Sequence, residues 1–173
     1  MTGTKAAGAA IEATGLVKSY KTKDGTVDAV RGIDLRVEPG EVFGFLGPNG
    51  AGKSTTVRML TTLLSITSGS ARVAGVDVAA DPSGVRHKIG VALQEAGLDE
   101  RQSGRELLTL QGRLFGLGPA DAASRAQELL ELVELTESAD RPSKSYSGGM
   151  KRRLDLATAL VNRPDVLFLD EPT

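Results

Sequence analysis

The chain has 173 residues, of which 40 % are hydrophobic, so it can bury one sizeable core and suits a single domain. Its 21 basic and 22 acidic residues give a net charge of -1, which excludes a broad positive field, so we expect no nucleic-acid partner. Because it contains no cysteine and one histidine, disulfides, thiolate metal sites and histidine-rich metal sites are excluded. No apolar run approaches the roughly 20 residues that cross a bilayer, so we expect a soluble, cytoplasmic chain.

The first strands are predicted soon after a short tail. The small, unpatterned residues up to Ala10 predict a flexible tail over residues 1–10. Residues 16–20, LVKSY, belong to a strand-like run, so the domain is predicted to start near Ile11. Apolar and charged residues alternate over residues 33–37, which is the period of a half-buried strand, and Pro39 and Gly40 then supply a turn. Two antiparallel strands are the simplest interpretation.

The next segment has the order that a phosphate loop requires. Residues 42–46, VFGFL, form a continuous apolar run that predicts a strand covered on both faces, and a glycine-rich loop follows directly. After the loop, Val57, Leu60 and Leu63 fall on one face of a predicted helix. The local order is therefore buried strand, loop and helix.

Two more buried strands are predicted, at residues 89–93 and 166–169, and helical spacing dominates the sequence between them. Apolar residues recur at helical intervals over residues 105–115 and 119–135, and Pro119 suits a first helical turn. We therefore predict that residues 95–145 form a mostly helical insertion in an α/β core.

The glycine-rich loop is the strongest motif. Residues 47–54, GPNGAGKS, match the Walker A pattern, in which glycines let backbone N–H groups surround phosphate oxygens at a helix N-terminus. Lys53 can reach the terminal phosphates, and the Ser54 hydroxyl is a predicted magnesium ligand. The loop alone does not choose among kinases, GTPases, helicases and transport ATPases. The predicted nucleotide-binding residues are Gly47, Pro48, Asn49, Gly50, Ala51, Gly52, Lys53, Ser54 and Thr55.

Two later motifs narrow the choice. Ser147, Gly148 and Gly149 begin a predicted helix and form a possible second anion site, although a simply capped helix is the more common meaning of such a start. An apolar strand then ends in Asp170 and Glu171, the Walker B pattern. One carboxylate there can hold magnesium through water, and the other can orient and deprotonate the attacking water.

The order and spacing of these motifs resemble those of the ATP-binding-cassette family. Within that family, the sequence from residue 13 onward resembles the daunorubicin-resistance type of exporter ATPase. The resemblance implies that residues 11–173 form an α/β P-loop NTPase core with an N-terminal antiparallel β subdomain and a helical subdomain inserted at residues 95–145. It also implies that the C-terminal part of this core is missing. It implies that Gln94 is a ligand of magnesium and of the attacking water, and that the Tyr20 ring stacks on adenine. It also makes Glu171 the general base and Asp170 a magnesium ligand. Tyr146 and Met150 replace the Leu and Gln of the commonest signature.

The resemblance further implies how such a domain works. Two domains meet head to tail, so Ser147, Gly148 and Gly149 would close over Mg²⁺-ATP held by the partner's loop, while a transmembrane permease subunit binds the pair at the cytoplasmic face of the membrane. The resemblance implies ATP hydrolysis that drives drug efflux. The sequence itself identifies no transported substrate and does not distinguish export from import. The family pattern continues past Walker B with a switch histidine that His87 does not replace. We therefore expect an incomplete core, weak ATP binding and poor hydrolysis by the chain alone.

Three alternatives stay open. One is a non-transport ATPase of the same superfamily, and another is a nucleotide-binding module without turnover. The third is a GTPase, suggested by residues 162–165, NRPD, although they lack the lysine of a guanine-reading motif and precede Walker B. The basic residues 151–153 oppose the apolar face of their helix and predict a solvated surface.

Overall fold

The computed structural model describes residues 8–23, 25–48, 50–92 and 99–169. Within these ranges the chain forms two compact units, one up to Lys88 and the other from Ile89. None of the helices in the described ranges has the length and apolarity needed to cross a membrane. Gln94, Asp170, Glu171 and Asn49 lie outside the described residues.

The first unit is built on a four-stranded antiparallel sheet. Its two longest strands form a hairpin whose register runs from Ile11 opposite Val37 to Thr22 opposite Gly25, which confirms the predicted antiparallel pair. Two shorter strands, which the sequence patterns left unassigned, extend the sheet in the order β2-β1-β3-β4. The strands are β1 (Ile11–Thr22), β2 (Gly25–Val37), β3 (Ser68–Val73) and β4 (Val76–Asp77).

Two helices accompany this sheet. Helix α1 (Lys53–Leu60) follows the glycine-rich loop, as predicted, and buries Met59 and Leu60 completely. Helix α2 (Pro82–Lys88) buries Val85. Burial of these side chains against the sheet anchors α1, because a helix of only eight residues is not stable in water by itself.

The predicted strand over residues 42–46 is wrong. Residues 41–48 form neither strand nor helix, and the side chains of Val42 and Leu46 are 99 % and 94 % exposed. A strand needs a neighbour to satisfy its N–H and C=O groups, and neither sheet of the described residues includes this segment. Apolar composition alone could not supply that neighbour.

The second unit combines helices with a parallel strand pair. Strand β5 pairs in parallel with β6, from Ile89 opposite Val166 to Ala92 opposite Leu169. Leu108, Leu129 and Leu130 on α3 and α4 and Leu154 on α5 form its central core. The elements are β5 (Ile89–Ala92), α3 (Gly104–Leu114), α4 (Pro119–Leu132), α5 (Gly148–Ala159) and β6 (Val166–Leu169).

The two strands differ in burial. Ile89 and Ala92 of β5 are buried, as predicted, whereas in β6 only Phe168 is buried, and Leu167 and Leu169 are 38 % and 44 % exposed. Successive side chains of a strand point to opposite faces, so one face of β6 is covered and the other is open. The prediction of a fully buried β6 is therefore wrong.

The chain closes on itself before α5. Ser103 and Pro142 form an antiparallel bridge, the Ser143 N–H donates to the carbonyl of Gln102 at 2.8 Å, and the Lys144 N–H donates to that of Glu100 at 3.0 Å. We call this contact between residues 99–103 and 142–145 the clasp. It brings together the two ends of a segment that contains α3 and α4.

Asp155 on α5 is a carboxylate buried within the second unit. It is 7 % exposed, and its Oδ2 lies 3.3 Å from Nη1 of Arg152. Burial raises the pKa of Asp155, and the Arg152 charge opposes that rise. The folded protein therefore binds the Asp155 proton more tightly than the unfolded chain does. The stability that this proton contributes is present below the ordinary value of 3.8 and is lost as the pH rises through the raised pKa.

Asp155→Asn should therefore stabilise the second unit at pH 7, because the amide needs no charge to be buried. Its advantage over the unaltered chain should shrink as the pH falls from 7 through the raised pKa of Asp155 toward 3.8, and should change no further below that value. Urea unfolding at several pH values measures both effects, and Glu137→Gln, at an exposed carboxylate, is the matched control. A constant difference between Asp155→Asn and the unaltered chain across this pH range would contradict the prediction.

Candidate nucleotide-binding site

Three glycines determine the backbone of the loop that precedes α1. Gly47, Gly50 and Gly52 have φ angles of 153°, 83° and 84°, which residues with a side chain rarely adopt. At Gly52 space is also limiting, because a Cβ atom would lie 2.5 Å from the carbonyl oxygen of Ala29 and 3.1 Å from Cγ2 of Val30. The loop can therefore approach β2 this closely only with glycine at position 52.

The ammonium group of Lys53 lies inside this loop. Its Nζ donates to the carbonyl oxygens of Gly47 at 2.6 Å and Pro48 at 2.9 Å. The side chain therefore folds back over the residues that precede it. A positive charge at this position can bind the terminal phosphates of a nucleotide, as the sequence predicts.

The first turn of α1 adds donors to the same place. Gly52 is its N-cap and has no side chain that could accept hydrogen bonds from the first N–H groups of α1. Thr56 is buried, and its N–H donates to the Gly52 carbonyl at 2.8 Å, which starts the helix. Together with the positive end of the helix dipole, these amides present hydrogen-bond donors that suit an anion.

A cleft of about 490 Å³ opens beside the loop. The loop residues of this cleft were predicted from the sequence, but the wall that β2 supplies was not. No sequence motif marks this part of β2, and only the folded chain brings it beside the loop. The lining residues are Asp28, Ala29, Val30, Arg31 and Ile33 from β2, with Phe45, Leu46, Gly50, Ala51, Lys53 and Thr56.

Tyr20 lies near this wall but does not line the cleft. It lies opposite Val27 of β2, and its neighbour Ser19 pairs with Asp28, which does line the cleft. The Ser19 hydroxyl donates to Asp28 Oδ1 at 2.7 Å. Tyr20 is 40 % exposed, so part of its side chain is open to solvent.

The second predicted anion site begins α5. Ser147 is the N-cap of this helix, and its Oγ accepts a hydrogen bond from the Met150 N–H at 3.2 Å. Gly148 and Gly149 are exposed, and nothing lies within 4 Å of a Cβ built on either. The start of α5 is therefore both capped and open to a ligand from outside the unit.

Tyr146 fixes the chain just before this cap. Its side chain is 5 % exposed, and its hydroxyl donates to the Ser138 carbonyl at 2.6 Å. Burial raises the pKa of Tyr146, so the hydroxyl keeps its proton at neutral pH. Tyr146, which replaces the leucine of the commonest signature, thus packs in the core and also makes a hydrogen bond to Ser138.

The basic residues 151–153 have partners within the second unit. Lys151 pairs with Glu100, Arg152 pairs with Asp155, and Arg153 donates to the Val133 carbonyl at 2.9 Å. Val133 is the C-cap of α4, where a positive charge is favourable. These side chains hold the unit together, which adds a structural role to the predicted solvated surface.

The donors around the loop suit a magnesium ion that is held chiefly by a nucleotide. In the part of the chain that the structure describes, no group of three His, Cys, Asp or Glu is arranged to hold a metal. Mg²⁺ usually keeps several waters and binds phosphate oxygens with one or two protein oxygens. The exposed Ser54 hydroxyl in the first turn of α1 can be one of these oxygens.

Comparison with known proteins points to one family. Residues 30–173 match the family described as ABC transporter. The chain is 54 % identical to the daunorubicin/doxorubicin resistance ATP-binding protein DrrA of Streptomyces peucetius, covering 95 % of this chain and 48 % of that protein. It is 40 % identical to the linearmycin resistance ATP-binding protein LnrL of Bacillus subtilis, covering 94 % and 51 %. The chain thus spans about half the length of the curated relatives it matches.

A solved structure confirms the predicted fold class. The structure of a dimeric post-hydrolysis state of the ATP-binding cassette MJ0796, bound to ADP and Pi, matches with a TM-score of 0.84 at 26 % identity. The match covers 94 % of this chain and 74 % of that one. The α/β architecture with its antiparallel β subdomain is therefore that of such cassettes.

Gly52→Ala should destabilise the first unit by about 2 kcal/mol or more, because it combines a left-handed backbone with a collision against Ala29. Gly75→Ala is the matched control, since Gly75 has a φ of 77° but nothing lies within 4 Å of its Cβ position. The free energy of unfolding of this control should fall only by the cost of the left-handed backbone, about 1 to 2 kcal/mol. Urea unfolding of both variants makes the comparison. Equal losses would show that the contact with β2 is not limiting.

Proposed function

Because the chain belongs to the ABC transporter family, we propose that it binds Mg²⁺-ATP on the loop of residues 47–55 and contributes to ATP hydrolysis in a transport ATPase. The observation that carries this proposal is the Lys53 ammonium beside the uncapped start of α1. A cation and free helix amides at one place are what a triphosphate requires.

Different residues of the loop would bind different parts of Mg²⁺-ATP. The amides of residues 50–55 would surround the phosphate oxygens, Lys53 would exchange its loop carbonyls for the terminal phosphates, and Ser54 would bind magnesium. The Tyr20 ring would stack on adenine at the edge of the cleft. Magnesium would neutralise phosphate charge, and the protein contributes the fixed position of its donors.

Hydrolysis needs residues that the loop does not supply. We propose that Glu171 acts as the general base, that Asp170 holds magnesium, and that Gln94 contacts magnesium and the attacking water. These three residues lie outside the described ranges, so their roles rest on their positions in the sequence motifs. The strand that leads to Asp170 is present as β6, and the strand that leads toward Gln94 is present as β5.

The start of α5 would serve a second copy of the chain. Ser147, Gly148 and Gly149 are exposed and present a helix N-terminus, which suits the phosphate of a nucleotide bound elsewhere. The related cassette MJ0796 is dimeric in a state bound to ADP and Pi. We therefore propose a head-to-tail pair, in which each site combines one copy's Lys53 with the other copy's Ser147.

We propose drug efflux as the process that this pair drives. The relatives in Streptomyces and Bacillus are described as ATP-binding proteins of drug resistance. A transmembrane permease subunit would bind the pair at the cytoplasmic side of the membrane and would select the substrate. The same similarity favours transport over the non-transport alternative.

The structure gives no support to the GTPase alternative. The Asn162 side chain, which a guanine-reading motif would direct to the base, donates through Nδ2 to the Ile89 carbonyl at 2.9 Å. Its neighbour Arg163 bonds to Glu128 on α4. These residues connect the end of α5 with β5 and α4, which is a structural task within the second unit.

Lys53→Ala should weaken Mg²⁺-ATP binding by about ten- to a hundredfold, because a charge-assisted contact with the terminal phosphates is lost. Titration calorimetry measures the Kd. Lys21→Ala, which removes an exposed lysine of β1, is the control and should bind as the unaltered chain does. Equal affinities for Lys53→Ala and the unaltered chain would contradict the proposed site.

A mixing experiment tests the head-to-tail pair. Gly149→Glu should block the second anion site with a carboxylate, and the open space around Gly149 means that the fold accepts the side chain. Lys53→Ala and Gly149→Glu should each lack the slow turnover of the unaltered chain, whereas their mixture should regain part of it, because one site of a mixed pair is intact. Failure of the mixture to recover would contradict the pair. No turnover in the unaltered chain would favour a binding module instead.

A further inference from the structure

Lys18 on β1 is a lysine in an unusual environment. It is 8 % exposed, although lysine is rarely buried without a charged partner. Its Nζ donates to the Ser65 carbonyl at 2.7 Å and lies 3.3 Å from the Ser65 hydroxyl. Among the ion pairs of the described residues, none involves Lys18. Within the described residues, its charge is therefore stabilised by the dipoles of Ser65 and by no carboxylate.

An aromatic ring is the second partner of this cation. The Nζ of Lys18 lies 5.2 Å from the centroid of the Tyr20 ring. Residues two apart on a strand share one face, so the two side chains lie together along β1. A cation within about 6 Å of a ring centroid is attracted by the ring's electrons. Lys18 therefore holds the ring, while Tyr20 as a whole remains 40 % exposed.

The same lysine connects Tyr20 with the segment after the phosphate-loop helix. Ser65 follows α1 by a few residues, and this segment is bound to β1 by further hydrogen bonds. The Thr67 N–H donates to the Val17 carbonyl at 3.0 Å, and the Ser19 N–H donates to Thr67 Oγ1 at 3.0 Å. The ring and the end of α1 thus share one network, with Lys18 at its centre.

We propose that Lys18 is a positioning residue for base recognition, which holds the Tyr20 ring so that it can stack on a purine. This inference rests on the proposed function, in which Tyr20 contacts adenine. A ring that is held in place loses less conformational freedom when the base binds. The contribution of the base to affinity should then depend on Lys18, whereas the contribution of the phosphates depends on Lys53.

The test separates base from phosphates by using two ligands, Mg²⁺-ATP and magnesium tripolyphosphate, which lacks a base. Lys18→Gln keeps a donor for the Ser65 carbonyl but removes the charge. We expect it to raise the Kd of ATP about three- to tenfold, the range of a cation–π contact, and to change the Kd of tripolyphosphate less than twofold. Lys18→Arg, which keeps the charge, should restore ATP binding.

A double-mutant cycle shows whether Lys18 acts through the ring. In a Tyr20→Leu chain, Lys18→Gln should have no further effect on ATP binding, because no ring is left to hold. Lys21→Gln, at an exposed lysine of the same strand, controls for the loss of charge alone. Where Lys18→Gln fails to fold by circular dichroism, Lys18→Met, which keeps the apolar stem, takes its place in every comparison.

The outcomes distinguish this inference from the proposal that it rests on. Equal weakening of ATP and tripolyphosphate, or an undiminished effect in Tyr20→Leu, would overturn the positioning role and leave the nucleotide site intact. Unchanged ATP binding in Tyr20→Leu would remove the adenine contact and the inference with it. Unchanged binding of both ligands in Lys53→Ala would instead refute the proposed phosphate site.

Discussion

The close approach of Gly52 to the Ala29 carbonyl is the contact on which the geometry of the loop depends. A Cβ atom at position 52 would lie 2.5 Å from that oxygen, so the chain can turn into α1 here only because the side chain is a hydrogen atom. The turn places Lys53 at the start of the helix, where its ammonium reaches back to Gly47 and Pro48. Burial of Met59 and Leu60 then keeps α1 against the sheet. One steric constraint thus positions both the cation and the helix amides.

The two helix starts that the sequence marks as anion sites differ in chemistry. Helix α1 begins at a glycine that caps nothing, whereas α5 begins at Ser147, whose hydroxyl already accepts the Met150 amide. A helix without a capping side chain gains most from an external anion, because its first donors would otherwise bind only water. The capped helix depends less on a ligand for its own stability. This difference suits the proposed roles, in which the loop retains the nucleotide and the start of α5 in the second copy contacts it intermittently.

The motifs that could be predicted from sequence are those that local chemistry determines. The glycine loop, α1, the Ser147 cap and the helical segment between β5 and α5 depend on neighbouring residues, and the structure has each of them. The apolar run of residues 42–46 did not become a strand, since pairing requires a partner far away in the chain. Strand β3, with the sequence SGSARV, has too few β-branched residues to be recognised.

The missed parts of the site share one cause. Asp28 and Val30 line the cleft because β2 lies against the loop at Gly52, and Lys18 meets Ser65 across 47 residues of sequence. Such neighbours are products of the sheet and leave no local pattern. Their residue types are also ordinary for strands. The resemblance to the ABC family identified Tyr20 as a candidate, whereas the β1–β2 register shows which residues lie beside it.

The clasp between residues 99–103 and 142–145 has an evolutionary consequence. Because the two ends of the helical segment are hydrogen-bonded to each other, the segment leaves and rejoins the rest of its unit at a single place. Insertions are tolerated best where the ends of the inserted piece lie close together. Descendants of such a gene can change the exposed residues and the connections of α3 and α4 while the serine that begins α5 keeps its place, provided that the leucines packed against Leu154 remain. The clasp thus allows the surface of this segment to diverge between members of the family.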